Sequence, residues 1–250
     1  MHKTVAMMQP YLFPYLGYFQ LIATSDAFVL GDNLQYVRGS WINRNRILVG
    51  GQPHLFTLPL KRGERTAPIN QRWLCDDFDA EATALLKMLS RSYARAPHRE
   101  QVLALVEGIL KYPQHNLARF AEHSIIQLCR YLQIDTPLYR LSEMGIPEPV
   151  DKQERIIRLT RALGGKRYIN PIGGTQLYCP AAFHAQGLEL RFLRMDALTY
   201  PQLKHPFVPS LSIIDVLMFN AREQAQQLLE RFSLCEGAEP ADLQTASGFS

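Results

Sequence analysis

The sequence predicts an open, mainly parallel α/β sheet with a helical insertion and C-terminal helices. Two observations predict it. Short apolar runs alternate with segments of helical spacing near both ends of the chain, and the middle carries helical spacing alone. Strands that alternate with helices are joined by right-handed crossovers and run parallel, so the sheet is expected to be Rossmann-like, with helices on both faces.

The elements follow in order. "KTVAMM" (3–8) is a buried strand that stops before Pro10, Gly17 to Thr24 has helical spacing, and "DAFVLGDN" (26–33) is a second strand. Strand, tight loop, helix and strand make a βαβ unit. "NRILVGGQPHLFTLPL" (45–60) reads as a hairpin around Gly50-Gly51-Gln52-Pro53. From Asp79 to Tyr131 three helical patterns follow, punctuated by Pro97 and Pro113. "PLYRLSEM" (137–144) is a strand. Asp151 caps a helix that Gly164-Gly165 stops. Strand "KRYINPIGG", helix "PAAFHAQG", strand "LELRFLRM" and a helix over 212–232 complete the pattern. The expected organisation is one α/β domain over 1–235, with the insertion at about 79–132. The small, polar stretch 236–250 is expected to be a flexible tail.

Composition bounds the function. The chain has 250 residues and a formal net charge of +4, too weak to argue for a specific nucleic acid but suited to a phosphate-bearing substrate. The four cysteines lie far apart, which argues against a disulfide framework or a zinc knuckle and for a cytoplasmic setting. No apolar run reaches the ~18–20 residues of a membrane span, so any membrane contact is expected to be peripheral. The N-terminus does not read as a signal peptide. The histidines are dispersed and no metal motif, Walker loop or G-x-S-x-G elbow appears.

Four stretches break the core pattern. In "QPYLFPYLGYF", Gln9 and Pro10 sit where the first strand ends, the edge at which such sheets bind ligands. Gly17 allows close backbone approach at a helix start, and Tyr11, Phe13, Tyr15 and Tyr18 offer stacking faces. The same rings could equally be a plug that packs the helix on the sheet. In "GDNLQYVRGSWINRNRI", Asp32 closes the second strand, and Gln35, Tyr36, Trp41, Asn43, Arg44, Asn45 and Arg46 follow. So many amides and guanidiniums are costly to bury without partners, and arginine pairs well with phosphate. Two arginines on one face of a strand repel unless something lies between them, so Arg44 and Arg46 are expected to hold an anion. In "RYINPIGGTQLY", Tyr168 and Asn170 end a strand, and Gly173-Gly174 reads as an anion-holding nest or a plain left-handed turn. In "YPQLKHPFVPSLSIID", Ser210 or Ser212 caps the last helix. Lys204 and His205 are candidates for phosphate contact or acid–base work.

Through these four stretches, over roughly 1–232, the sequence resembles the WbqC-like family. That resemblance implies a place in surface-polysaccharide biosynthesis (O-antigen, lipopolysaccharide) and a transferase that places an aminoacyl group, glycyl for some members, on a nucleotide-linked aminosugar. In that reading Arg44 and Arg46 hold the diphosphate, Trp41 or Tyr11 stacks, and Asp32 is the general base. The first βαβ unit also resembles the HIGH-motif nucleotidyltransferases and pantothenate synthetases. Tyr15-Leu16-Gly17-Tyr18 stands where they carry H-x-G-H, so Tyr18 takes a catalytic histidine's place, with ATP as the implied cofactor. A tyrosine donates a hydrogen bond but is a poor cation at neutral pH. A non-enzymatic nucleotide-sugar-binding or scaffold protein is the third expectation.

Overall fold

The computed structural model describes residues 3–147, 149, 151–204 and 206–237. The chain opens with β1 (Thr4–Met8), α1 (Leu16–Ala23) and β2 (Ala27–Leu30). A hairpin follows, β3 (Arg44–Val49) and β4 (Gln52–Thr57), and then the three helices α2 (Phe78–Ser92), α3 (Arg99–Leu110) and α4 (Leu117–Leu132). The α/β pattern resumes with β5 (Leu138–Arg140), α5 (Lys152–Ala162), β6 (Arg167–Pro171), α6 (Pro180–Ala185) and β7 (Glu189–Met195). Two short helices, α7 (Ile213–Phe219) and α8 (Arg222–Leu229), lead to β8 (Phe232–Cys235).

The main sheet has the order β5-β2-β1-β6-β7-β8. Every pair from β5 to β7 is parallel; β8 adds an antiparallel edge to β7. Val5 faces Ala27 and Met8 faces Leu30 in the first parallel pair, so the ends of β1 and β2 share one edge, as the sequence predicts.

Period-two alternation feeds two cores. Val5, Met7, Ala27 and Val29 pack with Ile156 and Leu159 of α5 and Phe183 of α6 on one face. Ala6, Phe28 and Leu30 pack on the other face with α1, α4, α7 and α8. α1 is buried on nearly its whole circumference, which accounts for its apolar composition. The hairpin stands outside the main sheet. Gly50 and Gly51 both have positive φ (58° and 80°), the conformation a two-residue hairpin turn demands, while Gln52 and Pro53 already belong to β4. Asp151 accepts the Glu154 N–H at 2.7 Å, and Gly164 has φ 69°, as expected for the two ends of α5.

Two expectations are corrected. The segment 212–232 is not one helix: the Asn220 side chain bonds back to the Val216 carbonyl, the Gln224 side chain accepts the Ala221 N–H, and a new helix starts. The chain then ends its described part as a strand rather than a helix. The expected tail lies almost wholly outside the described residues. No helix among the described residues is long and apolar enough to cross a membrane.

Candidate functional site

β1 connects through α1 to β2 on one side, while its other neighbour, β6, arrives much later in the chain. The connections diverge between β1 and β6, and open α/β sheets bind ligands at such a point, outside the strand ends. Gln9 and Pro10 follow β1 there; Asn170 precedes the last residue of β6, the strand paired with β1.

The aromatic loop over this edge is held in an unusual conformation. Phe13, fully buried, has φ 46°, a genuine outlier for a bulky residue. Its carbonyl accepts Asn45 Nδ2 at 2.7 Å and Ser212 Oγ at 2.8 Å. Asn45 Nδ2 also reaches the Leu12 carbonyl at 3.2 Å, and the Leu12 N–H donates to the Ile42 carbonyl. Asn45 and Ser212 therefore fix the loop. Ser212 also accepts the Ile214 N–H and so caps α7, as the sequence predicts. Tyr18 is buried and donates its hydroxyl to the Gln9 carbonyl at 2.9 Å. Burial pushes its phenol well above the ordinary tyrosine value, with Tyr11 adding to the rise, so it stays a neutral donor at physiological pH. Tyr11 packs against it, ring centroids 5.6 Å apart. A Cβ on Gly17 would lie 2.4 Å from the Tyr15 ring, so the glycine is what lets that ring fold back over the start of α1. The plug reading thus accounts for Phe13 and Tyr18, while Tyr11 and Tyr15 stay partly exposed.

The stretch after β2 divides by residue type. Asn43 donates to the Leu58 carbonyl and accepts the Tyr36 hydroxyl; with Asn45 it holds backbone. Gln35 is exposed, and its carbonyl accepts the Gln9 amide at 3.3 Å. Asp32 turns toward β5: one oxygen accepts the Ser142 N–H at 3.0 Å and the other the Ser142 hydroxyl at 2.6 Å. The arginines do something else. The guanidinium carbons of Arg44 and Arg46 lie 5.4 and 5.1 Å from the centroid of the Trp41 ring. Their repulsion is eased by the ring's negative face, with no need of an anion between them. Neither has a carboxylate in ion-pair reach among the described residues, and Arg44 Nε is buried without a hydrogen-bond partner.

At the end of β6, the Tyr168 hydroxyl lies 3.3 Å from Asn170 Oδ1, and Asn170 Nδ2 donates to the Pro171 carbonyl. A Cβ on Gly174 would sit 1.9 Å from Asn170 Nδ2. Gly173 and Gly174 lie in a 3-10 turn and neither has positive φ, which corrects both the nest and the left-handed turn. Steric room for Asn170 is the reason for Gly174. Lys204 is exposed; His205 lies outside the described residues.

Two further networks are not legible in the sequence. Asp215, fully buried, accepts the Tyr93 hydroxyl at 2.8 Å, the Tyr200 hydroxyl at 2.7 Å and Gln202 Nε2 at 2.7 Å. Burial raises its carboxyl above the usual range, against the pull of those three bonds. Glu122 of α4 binds Arg140 at 2.8 Å. Burial pushes its carboxyl up to about 7 despite Arg119, and Glu143 and Asp32 add to the rise. Only spacing in three dimensions reveals either group, since the partners stand 13 to 122 residues apart. A broad surface groove between α5 and α6 contains none of the four stretches.

The model of the WbqC-like protein family matches residues 9–227. A protein of Mycobacterium tuberculosis (strain ATCC 25618 / H37Rv), named "Uncharacterized protein Rv1507c", is 30% identical over 230 residues, which is 91% of this chain and 97% of its own. No solved structure matches the chain.

Proposed function

The chain belongs to the WbqC-like protein family, and from that premise and the geometry of the crevice we propose that it is a transferase forming an amide on a nucleotide-linked aminosugar in surface-polysaccharide biosynthesis. The group transferred is aminoacyl, with glycyl the smallest case. The observation that carries this reading is the pair of guanidiniums, Arg44 and Arg46, braced on Trp41 beside the loop after β1, with no carboxylate in ion-pair reach among the described residues. Such a pair suits a diphosphate. Gln9, Tyr11 and Asn170 supply hydrogen-bonding and stacking groups at the same edge of the sheet. The amine of the sugar attacks the acyl carbon of an activated donor with its lone pair; the C–N bond forms as the donor's acyl–oxygen or acyl–sulfur bond breaks, the leaving group departs with that electron pair, and a base takes the proton the amine sheds. We assign that role to Asp32, whose two oxygens each keep a lone-pair site besides the one Ser142 takes; the assignment requires the carboxylate to leave Ser142, beside β5, and turn toward the divergence of β1 and β6.

Calorimetric titration with UDP- and dTDP-linked aminosugars tests the binding half. Arg44→Ala should weaken binding about tenfold or more, since a hydrogen bond to a charged group is worth ~1.5–3 kcal/mol, and should leave the melting temperature nearly unchanged. An unchanged affinity, or a large loss of stability, makes the arginine structural and removes the reading's support. Mass spectrometry of the sugar nucleotide after incubation with activated amino acids tests the transfer. Tight binding with no mass gain would make the protein a binding or scaffold component.

One observation favours a second reading, an ATP-dependent ligase or nucleotidyltransferase: α1 starts directly at the divergence of β1 and β6, where HIGH-type enzymes, which the sequence resembles, seat ATP. Strict ATP dependence of product formation would select it.

A further inference from the structure

Between Asn33 and Trp73 the chain carries seven lysines and arginines and a single acid, Glu64, although the whole chain is only +4. The remainder is therefore net acidic, and the positive charge is concentrated in one excursion from the sheet. Contacts join that excursion into a continuous surface. Arg46 and Arg44 brace on Trp41, and the Arg44 guanidinium packs on Gly39, next to Arg38. Arg72 lies over the Tyr36 ring at 4.9 Å and donates to the Glu64 and Lys61 carbonyls, which holds the loop bearing Arg62 and Arg65.

Three large apolar side chains of the same excursion are exposed: Val37 at 55%, Trp73 at 46% and Leu55 at 44%. Leu55 is paired directly opposite Arg46, so the two share one face of the hairpin. Val37 precedes Arg38, and Trp73 follows Arg72.

A nucleotide needs two or three of these cations and none of the exposed apolar tips. A single nucleic-acid strand would want a row of free ring faces, but guanidiniums already lie over Tyr36 and Trp41, Trp73 is the one exposed ring among the three apolar tips, and Val37 and Leu55 offer it nothing. An anionic lipid surface uses both components. Its phosphates take the exposed guanidiniums of Arg38, Arg62 and Arg65, leaving Arg44 and Arg46 to the crevice, and the apolar tips enter the boundary between headgroups and acyl chains. We propose that the excursion 33–73 docks on an anionic phospholipid bilayer and holds the crevice at the membrane surface. This does not depend on the transferase reading.

The test is co-sedimentation of the full chain with vesicles of phosphatidylcholine alone, or mixed with an equal part of phosphatidylglycerol. Binding to the mixed vesicles should be at least about tenfold tighter, and should fall with added salt. In a Trp41→Phe background, Trp73 emission should shift to the blue on binding. Arg62→Glu with Arg65→Glu, and separately Val37→Ser with Leu55→Ser, should each reduce vesicle binding about tenfold or more while sugar-nucleotide affinity and melting temperature stay unchanged. Absence of vesicle binding overturns the proposal. So does vesicle binding that Val37→Ser with Leu55→Ser leaves intact, which would reduce it to unspecific charge. Single-stranded RNA that binds with vesicles inert would turn the surface into a nucleic-acid site.

Discussion

The loop 10–15 and the strand that braces it treat similar residues in opposite ways. In "NRNRI" two asparagines and two arginines alternate, and on β3 the alternation becomes two faces. Asn45 turns inward and spends its side chain on the Leu12 and Phe13 carbonyls; Arg44 and Arg46 turn outward onto Trp41. The inward face builds a strained loop, while the outward face keeps charge available. Polar residues of equal density thus serve assembly or recognition according to parity alone.

Perturbations can break that comparison, and the largest effect belongs to the deepest assembly contact. Asp215→Ala strands two hydroxyls and an amide in the core beside β3 and should cost about 4 kcal/mol in urea unfolding. A loss below about 1 kcal/mol would mean that the network is not holding the hairpin through Tyr93, whose hydroxyl also accepts the Leu48 N–H. Asn45→Ala should cost about 2–3 kcal/mol, because two buried carbonyls lose a donor. Gly174→Ala should cost about 1–3 kcal/mol by forcing Asn170 aside, and little in an Asn170→Ala background; additive losses in that double-mutant cycle would show that the contact is not the cause. Arg44→Ala and Trp41→Ala should each change stability by no more than about 0.5 kcal/mol while weakening anionic ligands. If Trp41→Ala instead unfolds the hairpin, the outward face is structural as well.

Much of this was legible in the sequence. The first βαβ unit, the hairpin, the helical insertion and both ends of α5 follow from periodicity, paired glycines and capping residues, which act over a few residues. The break at Asn220 and strand β8 were not legible, because side chains of Asn220 and Gln224 override a strong helical pattern, and β8 exists only by pairing with β7. At the candidate site, the division of labour among the residues of the four stretches is not legible in the sequence. Asp32 finds its partner Ser142 110 residues away, and Gly174 is explained by Asn170 rather than by its own φ. Local pattern carries no information on such distances.

The carbonyl of Phe13 is fixed from two directions, by a side chain 32 residues onward and by another 199 residues onward. Such contacts close large loops, and closing them is slow. On the ribosome, β1, α1 and β2 can pair as soon as they emerge, but the aromatic loop cannot settle until Ser212 has been synthesised and released. The aromatic loop is therefore among the later parts of the molecule to reach its final form, although β1, which leads into it, is the first strand of the chain.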